Sequence, residues 1–309
     1  MDGRLGVACV LALLTLVAGC AGSAGVTTEG VAGEGTAAAG PTTAATPTPT
    51  PEPYAGLGAE VDSEGLWARH ADGLEAADSF TARRTSEMSV AGNDSAVPPS
   101  MNTTGTVRVD RAEGRYLVEQ SSPLSSVTWF VAENVTYRRF SVAGPAASPP
   151  SYGVSDEPSE GENPVVPDAN DAATPSGLRN AVTNTTYTVE SVDRSGGEPV
   201  AVLVATGPAA FDPSAMGLSG ENGETTVFGE VSAFRSTLRV TPDGTIRAFD
   251  LRVTFDGERA TTMRMSLSLS DVDDTGVRSP AWLDEAEAAA ATDGVSANAT
   301  LTDGRQGST

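Results

Sequence analysis

Trp67, Ala71 and Leu74 stand at the i, i+4, i+7 spacing of one helical face, with Arg69, Asp72 and Glu75 turned the other way. This pattern predicts an amphipathic helix over residues 60–77, although Gly65 and Gly73 interrupt it with weak helix formers. Beyond it the period falls to two. Phe80, Ala82, Met88 and Val90 alternate with Thr81, Arg83, Glu87 and Ser89, as in a strand with one wet face. Alternating or β-rich runs follow at 105–111, 114–121, 126–132 and 135–141, and again at 185–193, 199–206, 229–241, 245–256 and 260–271. In the run TMRMSLSLS, Met263, Met265, Leu267 and Leu269 face one way and Arg264, Ser266, Ser268 and Ser270 the other. Pro242, Asp243 and Gly244 supply turn chemistry between two of these strands.

Residues 143–177 break the pattern with prolines and carboxylates and read as a long surface insertion. About ten strands in meander order, a helix before them and a shorter one within PAWLDEAEAAA describe a mainly β (α+β) fold. The expected architecture is a large curled antiparallel sheet, a half-open β-barrel, packed on the N-terminal amphipathic helix and a short C-terminal helix. One polar face on each strand favours a sheet wet on its outside over a buried strand set.

The ends of the chain read differently. Residues 1–19 have a short polar start, an apolar core from Leu5 to Ala18 and a small-residue exit, which is the layout of a secretory signal. Fourteen apolar residues are too few to span a bilayer, which takes about 20. Val17, Ala18, Gly19 and Cys20 resemble the lipobox of prokaryotic lipoproteins, which makes Cys20 the expected lipidated residue and the outer face of the cell membrane the expected location. Residues 20–53 form a Thr/Pro/Gly/Ala stalk, residues 54–291 the β domain, and residues 292–309 a tail expected to be disordered. Sequons at Asn93, Asn102, Asn134, Asn184 and Asn298 are compatible with N-glycosylation outside the cell.

Composition narrows the chemistry. The chain holds 41 acidic residues against 19 arginines and no lysine, a net charge of −22. With abundant Ala, Thr, Gly and Val and a single isoleucine, it looks like a protein of an extreme halophile, where molar salt screens the self-repulsion. Nucleic acid and anionic headgroups need basic patches and are unlikely partners for such a surface. Without lysine there is no phosphate-loop nucleotide site of the usual type and no Schiff base. His70 is the only histidine, and Cys9 leaves with the signal, so no structural disulfide, His- or Cys-based zinc site or Cys-His catalysis is expected within one chain. There is no GxSxG elbow for His70 to serve. Residues 271–276 begin like a calcium loop, but Trp282 stands where a bidentate Glu is needed, so the stretch reads as a strand cap. Asp156, Glu157, Glu160 and Glu162 read as a solvated face. No cofactor, no metal and no enzymatic activity are expected.

The stretches SFTAR, TGTVRVDRAEGRYLV, FVAENVTYRRF, DGTIRAFDLRVTF and VDDTGVRSPAWLDEA, behind a lipobox and a Thr/Pro stalk, are similar to uncharacterised lipoproteins of halophilic archaea. These in turn resemble the bacterial lipoprotein carrier and mycobacterial glycolipid-binding lipoproteins, which implies a half-open barrel closed by helices. On that reading Phe249, Leu251, Val253 and Phe255 pair beside Met263, Met265, Leu267 and Leu269 and, with Trp129 and Val131, make an apolar concave wall. Such a wall would hold a lipid or other apolar ligand. The alternative is a wall filled by Trp67 and Leu74, in a protein that works by contact with envelope partners.

Overall fold

The computed structural model describes residues 57, 61–91, 100–144, 147–155, 169–174, 176–195, 198–213 and 228–302, of which the side chains of 171, 172, 176 and 293–302 are not described. The signal, Cys20, the stalk, Asn93 and the acidic residues of 156–162 lie outside them.

Eleven strands form one unclosed, curled antiparallel sheet, so the fold is mainly β. The strands are β1 (Ser79–Val90), β2 (Ser100–Asp110), β3 (Arg115–Ser121), β4 (Ser125–Ala132), β5 (Val135–Val142), β6 (Ser151–Ser155), β7 (Thr188–Asp193), β8 (Val200–Thr206), β9 (Glu230–Val240), β10 (Ile246–Asp256) and β11 (Thr261–Ser270). Their spatial order is β6-β5-β4-β3-β2-β1-β11-β10-β9-β8-β7. Two meanders therefore run outward from a central pair, β1 and β11, that joins the two ends of the domain. Turn chemistry supports the meanders. Glu133 and Asn134 both hold positive φ, 54° and 64°, between β4 and β5, the conformation that a two-residue hairpin needs to match strand twist.

Among the described residues four α-helices accompany the sheet: α1 (Ser63–Ala76), α2 (Ala169–Ala173), α3 (Ser176–Thr183) and α4 (Leu283–Thr302). Asp62 caps α1, its carboxylate accepting the Gly65 N–H at 2.9 Å. Leu66, Trp67, His70 and Leu74 are the buried face of α1, and Leu178, Ala181 and Val182 that of α3. Most of these share one hydrophobic core with Phe80, Val107, Val118, Leu203, Leu238, Ile246 and Phe249 of the sheet. We call the sheet face that meets α1 and α3 the inner face. Gly73 allows the close approach of α1, since a Cβ there would lie 2.9 Å from Thr245 Oγ1.

Several expectations are corrected. The 143–177 stretch is no simple insertion: it contains β6, paired with β5 as an edge strand, and α2, and it runs into α3. Short edge strands tolerate flanking prolines because one side of the ladder stays unpaired. Arg69 does not turn to water; its Nε and Nη2 are buried. The C-terminal helix packs on the outer face rather than the inner one, against β5 and β6, where the Trp282 ring meets Tyr152 at 6.2 Å, and Ala286 is buried outside the main core. It also continues to Thr302, past the point where the tail was expected to begin.

Residues 271–276 act as a structural cap. Asp273 accepts the Asp78 N–H with its side chain at 2.9 Å and donates its own N–H to Ser79 O at 2.8 Å, so the loop ties the exit of β11 to the entrance of β1. Among the described residues no group of three or more His, Cys, Asp or Glu converges as a metal site.

Candidate functional site

Register decides which side chains share the inner wall. Phe249 pairs with Leu267, Leu251 with Met265 and Val253 with Met263, so the expected pairing of β10 beside β11 is the observed one. Trp129 reaches the same face through Val118, Val107, Ala82 and Leu269. Phe249, Val253 and Phe255 are fully buried, Leu251, Met263, Leu267, Leu269 and Trp129 are buried, and Met265 and Val131 are half-buried. The wall is thus one surface with two different ends.

At the α1 end the wall is core. His70 shows why that end is closed. Its Nδ1 accepts the Ile246 N–H at 3.3 Å, its ring meets Trp67 edge-on at 5.3 Å, and burial lowers its pKa to about 4 against the opposing field of Asp243. The lone histidine is a neutral packing residue joining α1 to β10. Tyr187 and Ser236, also buried, satisfy one another through a 2.8 Å hydrogen bond.

The other end differs in chemistry. Met88 pairs with Met101 on one side and Met263 on the other, forming a row of three methionines across β2, β1 and β11, with Met265 one step along β11. Met88, Met101 and Met265 are half-buried. Phe211, stacked on Phe234 at 4.6 Å, and Phe228, 5.6 Å from Phe255, flank this end from the β10 side. Arg84 marks the boundary between the two ends. It lies opposite Leu267 on the inner face, its side chain runs over Gly105, where a Cβ would come within 2.6 Å of Nε, and burial lowers its pKa. Sequence reading missed Met88 and Met101 as wall residues because they sit on strands far from β10 in the chain. The alternation of β1 held the signal for Met88, and only register brings Met101 beside it.

The Trp129 indole N–H is buried on the inner face with no hydrogen-bond partner among the described residues. Of the sequons, Asn102 on β2, Asn134 in the β4–β5 turn and Asn184 after α3 are exposed, Asn184 donating to Asn180 O at 3.0 Å, and Asn298 lies on α4. Among the described residues no helix is long and apolar enough to cross a membrane.

Three solved structures align over most of their own length at low similarity. The lipoprotein LppX of Mycobacterium tuberculosis is 10% identical, covering 70% of this chain and 97% of its own, with a TM-score of 0.29. A DUF1329 family protein from Desulfovibrio piger is 9% identical over 73% of this chain and 97% of its own, with a TM-score of 0.23. The LolA superfamily protein NE2245 from Nitrosomonas europaea is 13% identical over 71% and 95%, with a TM-score of 0.22. No curated protein matches the chain. One family model matches residues 4–286, nearly the whole sequence, and the chain belongs to that family of unknown function, DUF7537.

Proposed function

We propose that the protein is a non-enzymatic binding module, tethered to the outer face of the cell membrane through Cys20, that holds a lipid or another apolar ligand at the methionine end of its inner wall. The observation that carries this reading is that Met101, Met88 and Met265 are half-buried around the buried Met263, where the opposite end of the same wall is closed core. Unbranched, polarisable thioethers adapt to irregular apolar shapes, which suits a surface that must accept chains of differing form. The tether draws on the sequence Val17 to Cys20, and the family match beginning at residue 4 takes in that leader.

A dansyl-labelled fatty acid titrated into the purified protein tests the wall. Its emission should shift to the blue on saturable binding, and Met88→Asp should weaken uptake about tenfold or more while the fold still melts cooperatively. A parent protein that never binds the probe would overturn the reading. The tether is tested separately by Cys20→Ser, which should leave the membrane fraction or remain unprocessed.

A second reading is an envelope interaction protein with a filled interior. It draws on Phe249, Leu251, Val253, Phe255, Met263, Leu267 and Leu269, none more than 7% exposed.

A further inference from the structure

We propose that the outer face of the sheet carries a binding site for an oxyanion, the phosphate or sulfate group of a small ester. Two side-chain rows cross β1, β11, β10 and β9 there. One runs Glu87, Arg264, Arg252, Arg235, and the next runs Thr85, Ser266, Asp250, Thr237. Together they line a groove of about 300 Å³, at the small end of ligand-site volumes.

The arginines are the anomaly. Like charges directly opposite on neighbouring strands are destabilising, yet Arg264 faces Arg252 and Arg252 faces Arg235. The chain has only 19 arginines and no lysine to set against 41 acidic residues. On this face Arg108 pairs with Glu119 at 2.7 Å, Arg239 with Asp193 at 3.0 Å and Arg247 with Glu198 at 3.6 Å, while Arg83 and Arg139 form no ion pair among the described residues. In the row, Arg264 lies 3.5 Å from Glu87, whereas Arg235 and Arg252 form no ion pair among the described residues. Two free guanidinium groups side by side present planar forks of N–H donors that match a tetrahedral oxyanion, and a bound dianion would convert their repulsion into attraction. The hydroxyl of Thr237 adds a donor beside them, and the Thr85–Ser266 hydroxyl pair, hydrogen-bonded at 2.6 Å, has one further O–H to give. Asp250, on the same floor, would repel a bare anion but accepts hydrogen bonds from the hydroxyls of an ester's organic part. The methionine side chains lie on the opposite face of the sheet, although Leu251 and Met265 of that wall also line the groove.

Thermal melting of the full protein at fixed ionic strength tests this, with sodium phosphate, glucose 6-phosphate, glucose and sodium chloride as additives. The expected result is a saturable rise in melting temperature with phosphate or glucose 6-phosphate, none with glucose, and loss of that rise in Arg252→Thr. Without ligand, Arg252→Thr should melt no lower than the parent, since it removes a like-charge contact. A half-saturation about tenfold lower for glucose 6-phosphate than for phosphate identifies an ester ligand, and equal values identify the free oxyanion. Phosphate also stabilises folds non-specifically by exclusion from the surface. A rise that is the same in Arg252→Thr as in the parent, or no rise beyond chloride in the parent, overturns the proposal.

Discussion

The Ile246 N–H donates to Nδ1 of His70 across 3.3 Å, joining α1 to the first residue of β10 in a fully buried contact. The bond requires an imidazole with Nδ1 unprotonated, and burial lowers the His70 pKa from its ordinary 6.5 to about 4. Above pH 6.5 the residue is neutral folded or unfolded and adds no pH dependence. As pH falls from 6.5 toward 4, the unfolded chain takes up a proton that the folded one refuses, so stability declines by up to about 3 kcal/mol. Carboxylates titrate near the lower end of this window, so the check is a difference. Urea midpoints of the parent and of His70→Asn, measured from pH 7 to 4.5, should converge as pH falls; a constant gap would contradict the assignment.

The turn between β9 and β10 is held from two sides. Although burial works against it, hydrogen bonds from Thr241 and Thr245 keep the Asp243 carboxyl below its usual pKa. Gly244 has φ 93°, and a Cβ there would lie 2.9 Å from Arg69 Cβ. Gly244→Ala should therefore destabilise the fold by about 1–3 kcal/mol in urea or thermal melts, from backbone strain and the displacement of Arg69.

The two ends of the inner wall should respond differently to truncation. Phe249→Ala, at a fully buried position, is expected to cost about 3–5 kcal/mol. Met88→Ala, at a half-buried one, should cost about 1 kcal/mol. Equal losses in denaturant melts would mean that the methionine end is as closed as the α1 end.

Much of the sheet was legible in the sequence because alternation is local. The faces of β10 and β11 follow from period two in DGTIRAFDLRVTF and TMRMSLSLS, and the turn at 242–244 from its residues. What was illegible depends on register or on short elements. β6 has five residues and α3 eight, too few for a periodic signal to stand out beside prolines. The methionine row and the arginine row each combine residues from separate strands, and no window of sequence contains either. Charge counting misled for the same reason. A net −22 suggested a surface without a basic patch, whereas cross-strand pairing gathers Arg235, Arg252 and Arg264 in one row. Of the wall residues named from sequence, Met265 and Val131 are less buried than the rest, Met265 although Met263 and Leu267 on either side of it along β11 are buried.

Native mass spectrometry of the protein, extracted gently from its own membranes, tests the central claim most directly. The account predicts a stoichiometric lipid-mass adduct beyond the covalent anchor, released on denaturation and absent from Met88→Asp. A spectrum showing only the chain with its anchor, unchanged when the protein is incubated with lipid vesicles before measurement, would contradict it and leave a filled-core interaction protein in its place.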